Sequence, residues 1–354
     1  MQRISIKPVW TIQHPDGRQL PARLLELLVR VHAQGSLLAA CQSLGMSYRH
    51  AWDLVRQGEA QCGTALLNME RGKGSTLTAL GEKLVWADHR ISARLGPVLD
   101  SLASELEGEI GRLTEQEPVK LRLQASHGYA MDALVKSLAA DGMALERRYG
   151  SSIEAAAALR DGACDAAGFH IPIGSLQSQA LALYARWLGD DDLMLIDVAS
   201  RRQGLIVAPG NPKKIYELSD LTRREVRFIN RQAASGTRFL LEGLLAQAGI
   251  DEGRIQGFEQ GEFTHAAVAA YVASGMADVG FGLEASARQF RLDFTPLAHE
   301  RYFLLCHRDA LEQPALQAVL RTLRDPAYGQ AVNALPGYDA RHAGRVLPFN
   351  QAFA

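Results

Sequence analysis

Cysteine is scarce in this chain. Only Cys41, Cys62, Cys164 and Cys306 occur in 354 residues, and no two of them stand in C-x-x-C spacing. That argues against a disulfide framework and a structural zinc site, and points to reduced thiols in a cytosolic protein. Long apolar runs are lacking too, and residues 1–8 have neither the apolar centre nor the small-residue cleavage site of a signal peptide. The expectation is a cytoplasmic chain with no membrane partner. Net charge is nearly absent, with 38 basic against 39 acidic residues. There is no phosphate-binding P-loop, no metal cluster and no set of nucleophile, base and orienter, so no enzyme, catalytic residue, metal or cofactor is expected. Cys164 and His170 are close in sequence, but a buried strand thiol is the better reading of Cys164. Apart from the alanines of 155–158, no repeat or low-complexity run is present.

What is present is bulk: 47% of the residues are hydrophobic, which excludes a disordered or collagen-like chain, and the length calls for two or three domains. The near-neutral total hides an asymmetry. Residues 1–80 hold nine basic and five acidic side chains, a net of +4, whereas 81–115 hold four and seven, a net of −3. A basic head on an acidic connector fits a nucleic-acid module joined to something else.

In the head, a strand-like start (Val9, Ile12) and a His14-Pro15-Asp16-Gly17 turn precede Leu24, Leu27, Leu28 and Val31 at helical spacing. Ser36 can cap a second helix over 37–44, whose Ala39, Ala40 and Cys41 permit a close crossing. Gly45 ends it and Ser47 can cap a third. This third helix has Ala51, Leu54 and Val55 inside and Tyr48, Arg49, Trp52 and Arg56 outside. Two short helices joined by a tight turn place the second in a DNA major groove, where arginine pairs with guanine or holds a phosphate. Leu66 and Leu67 then lead to a basic, glycine-rich tip, with Arg71 and Lys73 supplying charge for a sugar-phosphate backbone. The candidate DNA contacts are Ser36, Ser47, Tyr48, Arg49, Trp52, Arg56, Arg71 and Lys73.

The stretches Gly35-Ser36-Leu37, Leu44-Gly45-Met46-Ser47-Tyr48-Arg49-His50-Ala51-Trp52 and Leu77-Thr78-Ala79-Leu80-Gly81 resemble the winged helix of molybdate-responsive and LysR-type bacterial regulators. The resemblance covers about the first quarter of the chain. It implies a homodimer, or a tetramer built from dimers, on a pseudo-palindromic double-stranded DNA operator. Independently, Leu84, Ile91, Leu95, Leu99, Leu102, Leu106, Ile110 and Leu113 form an apolar stripe suited to pairing two copies, with Gly96-Pro97 as a point where the helix can kink or break.

From Val119 the pattern becomes strand, polar turn, helix, repeated, which builds a parallel sheet flanked by helices. Ligands of such sheets bind beyond the carboxyl ends of the strands. The turns share a chemistry: Ser126, Ser151, Ser152, Ser235 and Thr237 bring hydroxyls, helix starts bring unpaired N–H groups, and Arg231 and Arg238 bring positive charge. Taken singly, each serine reads as an N-cap; taken together they read as an anion site.

This body resembles the periplasmic-binding-protein fold of molybdate and tungstate receptors, in the variant fused to winged helices. The resemblance rests on residues 162–170, 203–207, 228–238 and 264–268. Asn230 to Arg238 is similar to the Ser-Arg-Gly-Asp-x-Ser-Gly-Thr-His loop of tungstate receptors. It implies that Arg231 and the amides of Ser235, Gly236 and Thr237 hold the anion, with Ser126 and Ser151 or Ser152 on the other lobe; His127, His170 and His265 are further candidates for the cleft. Arg238 stands where that loop has histidine and Asn230-Arg231-Gln232 where it has Ser-Arg-Gly, so formate or a pterin phosphate remains open beside molybdate and tungstate.

The expectation is a multidomain chain: a mainly α winged helix-turn-helix over 1–80, a dimerising helix over 81–115, and a two-lobed α/β domain over 116–354. Lobe I takes 116–204 and 296–354, and lobe II takes 205–295. The function expected is a ligand-responsive transcriptional regulator sensing a small oxyanion. A transport receptor and a molybdenum-cofactor enzyme are the rivals from other classes.

Overall fold

The computed structural model describes residues 4–70, 74–113, 121–185, 187–188 and 192–353. The chain divides into two compact units, Lys7–Leu95 and Gly96–Ala354 with Met1–Ile6.

In the smaller unit, α1 (Ala22–Gln34) buries Leu24, Leu27, Leu28 and Val31 on one face. Gly35 stops it in the left-handed conformation, Ser36 caps α2 (Leu37–Leu44), Gly45 stops that in turn, and Ser47 caps α3 (Tyr48–Cys62). The α1–α3 crossing requires glycine at 58, where a Cβ would stand 2.2 Å from a Leu24 methyl. Strands β1 (Leu67–Glu70) and β2 (Gly74–Leu77) then pair antiparallel. Residues 71–73, between them, lie outside the described residues. The strand expected at Val9 and Ile12 does not form: both side chains are exposed, and only a single Gln13–Gln19 bridge closes the turn. Helix α4 (Ala79–Leu113) runs through Pro97 without a break, and Leu84 and Val85 complete the core of this unit. The division between the two units falls within α4.

The larger unit alternates strand and helix as the pattern requires. Its first half comprises β3 (Leu121–Ala125), α5 (Tyr129–Ala140), β4 (Leu145–Tyr149), α6 (Ser152–Arg160), β5 (Ala166–Pro172), α7 (Gln177–Tyr184) and β6 (Leu193–Val207). After these come β7 (Phe228–Arg231), α8 (Gly236–Gln247), β8 (Gly261–Glu262), α9 (His265–Ala273), β9 (Val279–Leu283), α10 (Glu284–Gln289) and β10 (Asp293–His307). The chain ends with α11 (Pro314–Arg324), α12 (Pro326–Asn333), β11 (Tyr338–Asp339), β12 (Val346–Pro348) and α13 (Phe349–Ala352).

The sheet order is β4-β3-β5-β10-β6-β9-β7-β8, with β11 and β12 also on β6. The neighbours in β4-β3-β5 are parallel, as are those in β9-β7-β8, whereas β10 and β6 are antiparallel along most of their 15 residues each. The first half of β6 and the second half of β10 lie in one lobe; their other halves carry the second. These two strands are therefore the crossings between lobes. Lobe I packs Leu123, Met131, Leu134 and Ile196 on one sheet face and Phe169, Leu195 and Phe303 on the other; lobe II packs Phe228, Leu241, Val279 and Phe281. The closing helices α11 and α12 pack on lobe I, with Leu316, Val319 and Val332 in its core.

In this unit the end of α4 turns small residues to β4: Ser101 accepts from the Tyr149 amide and Ser104 from that of Arg147. Leu102, Leu106, Ile110 and Leu113 are left exposed.

Candidate functional site

The strand ends of both lobes converge on one cavity of about 40 Å³, room for roughly three water-sized groups. Ser126 and His127 reach it from the β3–α5 turn, Gly150, Ser151 and Ser152 from β4–α6, and His170 from β5. From lobe II come Arg231, Gln232, Ser235, Gly236, Thr237 and His265. The crossing strands add Arg201 and Glu300.

Several hydroxyls are engaged as caps. Ser151 Oγ accepts from the Glu154 amide at 3.2 Å while the Glu154 carboxylate accepts from the Ser151 amide at 2.7 Å; Ser235 Oγ accepts from the Arg238 amide at 3.1 Å. The cap consumes one amide of α8, and the amides of Gly236 and Thr237, at its first two positions, have no partner within the helix. They add the positive end of the helix to the cavity.

Arg231 carries the charge. It is buried, and its Nε and Nη2 donate to the main-chain carbonyls of Glu262 and Phe263 at 3.2 and 3.0 Å, with Nε also 3.1 Å from Gln232 Oε1. It has no ion pair with a carboxylate among the described residues. Burial, then the nearby Arg201, pushes its pKa down to about 9, partly offset by Glu300. A buried cation held by neutral carbonyls is costly unless an anion joins it. Arg201 is handled differently: its Nε donates to Glu300 Oε1 across the β6–β10 register, while its Nη1 is buried without a hydrogen-bond partner. Burial works against the Arg201 charge, but the attraction of Glu300 with its hydrogen bond, and of Tyr338, outweighs it.

The two buried histidines are neutral. His170 stacks on Tyr302 at 3.9 Å, and its Nδ1 meets the hydroxyls of Ser126 at 3.3 Å and Ser152 at 3.2 Å, leaving Nε2 without a partner. A hydroxyl donating to Nδ1 fixes the tautomer with hydrogen on Nε2, a donor. His265 Nε2 lies 3.5 Å from Thr237 Oγ1, which accepts from Gln203 Nε2 at 3.2 Å. Burial, then the charges of Arg201 and Arg231, drives both histidines well below the usual range. His127 sits at the rim, 3.4 Å from Asp132 Oδ2. No group of three His, Cys, Asp or Glu side chains among the described residues is placed to hold a metal ion.

Of the eleven residues expected at the anion site, ten line this cavity, and Arg238 does not. Its guanidinium is taken by Glu242, one turn further along α8, and by Glu259, and lies 4.8 Å from the Phe258 ring centre. Arg201 and Glu300 are not among the residues expected from the sequence. The sequence carries no distinct signal for them, since each stands among other polar residues of its strand, Ser200 to Gln203 in β6 and His299 to Arg301 in β10.

On the smaller unit, the outer face of α3 presents Tyr48, Arg49 and Arg56 to solvent, with Tyr48 set edge-on to Trp52 and the Arg56 guanidinium 5.9 Å from the Trp52 ring centre. Trp52 is half-buried against the core. Ser36 and Ser47 accept from the amides of Ala39 and His50 as caps. Arg71 and Lys73 lie outside the described residues.

Residues 135–324 match the model of the PBP superfamily domain. The chain belongs to that superfamily. Residues 22–82 match the bacterial regulatory helix-turn-helix protein model of the lysR family, so this PBP-superfamily chain carries a lysR-family helix-turn-helix at its head. It is 31% identical over 201 residues to the uncharacterized protein YvgK of Bacillus subtilis (strain 168), covering 57% of this chain and 65% of YvgK. It is 32% identical over 136 residues to the molybdenum-pterin-binding protein MopB of Rhodobacter capsulatus, covering 37% of this chain and 49% of MopB. The chain thus spans about half to just under two thirds of these relatives' lengths. The solved structure of CbnR, a LysR family transcriptional regulator, aligns over 84% of this chain and 97% of its own at 18% identity and a TM-score of 0.39.

Proposed function

We propose that the chain is a one-component transcriptional regulator: the lysR-family helix-turn-helix binds double-stranded DNA, the stripe of α4 pairs two copies, and the PBP-superfamily domain senses a small oxyanion. The observation that carries the sensing role is Arg231, a buried cation with no carboxylate ion pair among the described residues, beside helix-start amides and neutral histidines. Such a set suits an anion whose oxygens accept from every side. Molybdate or tungstate is the proposed effector, supported by the loop around Arg231 and by the likeness to a molybdenum-pterin-binding protein. A cavity of about 40 Å³ favours a small anion, formate included, over a pterin. Arg201, Arg231, Ser126, Ser152, His170, Gly236 and Thr237 are the proposed anion contacts; Tyr48, Arg49 and Arg56 are those for DNA, with Ser36 and Ser47 fixing the helix starts. This reading places the protein in the cytoplasm as a homodimer, its apolar face being Leu102, Leu106 and Ile110.

Lobe closure on the anion would change the DNA-bound state only as far as the anion binds the two states unequally. The experiment is fluorescence anisotropy of the full chain on an operator obtained by selection, with and without molybdate, tungstate or formate. A shift of DNA affinity by one of these anions supports the reading; DNA binding indifferent to all of them, or absent, contradicts it.

A further inference from the structure

The crossing strands carry a second cavity on their opposite face. In β6 and β10, Ser200 pairs with Arg301 in the register next to Arg201 and Glu300, and successive residues of a strand face opposite ways. A register irregularity opposite Tyr302 and Phe303 puts one extra residue into β6, so Asp197 comes to the same face as Ser200 and Arg301. The cavity there has a volume of about 310 Å³, several times that of the first cavity, and is bordered by the segment linking β11 to β12.

Its wall is cationic, with Arg341, His342 and Arg345 open to solvent. Arg301 Nη2 lies 2.9 Å from each oxygen of Asp197, and Arg341 pairs with Asp339 at the mouth. These two pairs cancel. Arg345 and His342 also line the cavity; both are exposed, and both attract Asp197 at longer range without a side-chain ion pair to it. The balance is one further arginine, a histidine able to donate beside it, and paired arginines within reach of a second acidic group. Guanidinium groups meet carboxylate and phosphate oxygens two at a time, which a compact ammonium does not.

We infer that this cavity is a second ligand site, for an organic anion bearing two or more acidic groups. Arg345 and His342 take one acidic group, and Arg341 the other. Such a ligand exceeds the roughly 40 Å³ of the first cavity, so the two sites sort anions by size. This inference does not depend on the effector proposed for the first cavity.

The test is calorimetric titration of the full chain with citrate and, separately, glycerol 3-phosphate, as carboxylate and phosphate probes. The wild type, R231M in the first cavity and R345A in the second are compared, with R345K as a folded control that keeps the charge but loses the fork. Binding of either probe by wild type and R231M, weakened at least about tenfold in R345A and partly restored in R345K, is the expected result. No binding of either probe at millimolar concentration by the folded wild type would overturn the inference. So would undiminished binding by R345A, or loss in R231M with retention in R345A, which would put the probe in the first cavity.

Discussion

Arg201 of β6 and Glu300 of β10 face one another across an antiparallel register and form an ion pair that is almost fully buried, in the wall of the cavity where the strand ends of both lobes converge. Each belongs to a strand that passes between the lobes, so the pair sits where the chain crosses from one lobe to the other. Breaking a buried pair from one side leaves a lone charge and costs about 3–5 kcal/mol, whereas replacing both partners by apolar groups is often neutral. E300L is therefore expected to lose about 3 kcal/mol of stability in urea unfolding and R201M/E300L to recover most of it. A double variant no more stable than E300L would contradict the pairing.

Arg231 is the reverse case, a buried cation that forms no ion pair with a carboxylate among the described residues. R231M should hold or raise the melting temperature of the anion-free chain, because it removes a desolvation cost, while lowering anion affinity by about a hundredfold or more. A thermal-shift series with added anion reads both effects at once. A strongly destabilised R231M that still responds to the anion would show the arginine to be structural.

His170 and His265 set the pH dependence. Their folded-state pKa values are depressed, so below about 6.5 the unfolded chain takes up protons that the folded chain refuses, and stability falls as pH drops. The slope can reach about 1.4 kcal/mol per pH unit for each histidine, and it vanishes above the ordinary histidine range. Asp278, held to about 2 mainly through Arg227 against its own burial, adds its loss only in more acid solution. Unfolding free energy should therefore rise between pH 5 and 6.5 and level off by 7.5; a curve flat over the whole interval would show that the histidines are not held neutral.

Arg49 stands exposed in the first turn of α3. R49A should weaken operator binding by about 1–3 kcal/mol and leave anion affinity unchanged. If the residue holds only a phosphate, the salt dependence should fall by about one unit with no change of sequence preference. Equal DNA affinity in variant and wild type would remove Arg49 from the interface.

Much of this architecture was legible because local signals and burial agree. The spacing of Leu24, Leu27, Leu28 and Val31 marks α1, and the serines and glycines at 35, 36, 45 and 47 mark its neighbours. Three strand-turn-helix units showed where hydroxyls and helix starts would gather. Long-range pairing was less legible. Arg201 and Glu300 lie 99 residues apart, and only the register of two strands brings them together. Arg238 illustrates the opposite failure: composition put it with the anion residues, but one turn of helix carries it to Glu242 and Glu259. The apolar pair Val9 and Ile12 reads as a strand, but among the described residues no strand pairs with it.

The most direct measurement is isothermal calorimetry of the full chain against molybdate, tungstate, sulfate and formate. Saturable binding of molybdate or tungstate at one site per chain, with sulfate much weaker and R231M silent, is the expected result. Silence toward all four anions by a folded protein, or binding undiminished in R231M, would contradict the oxyanion cavity as the sensing site.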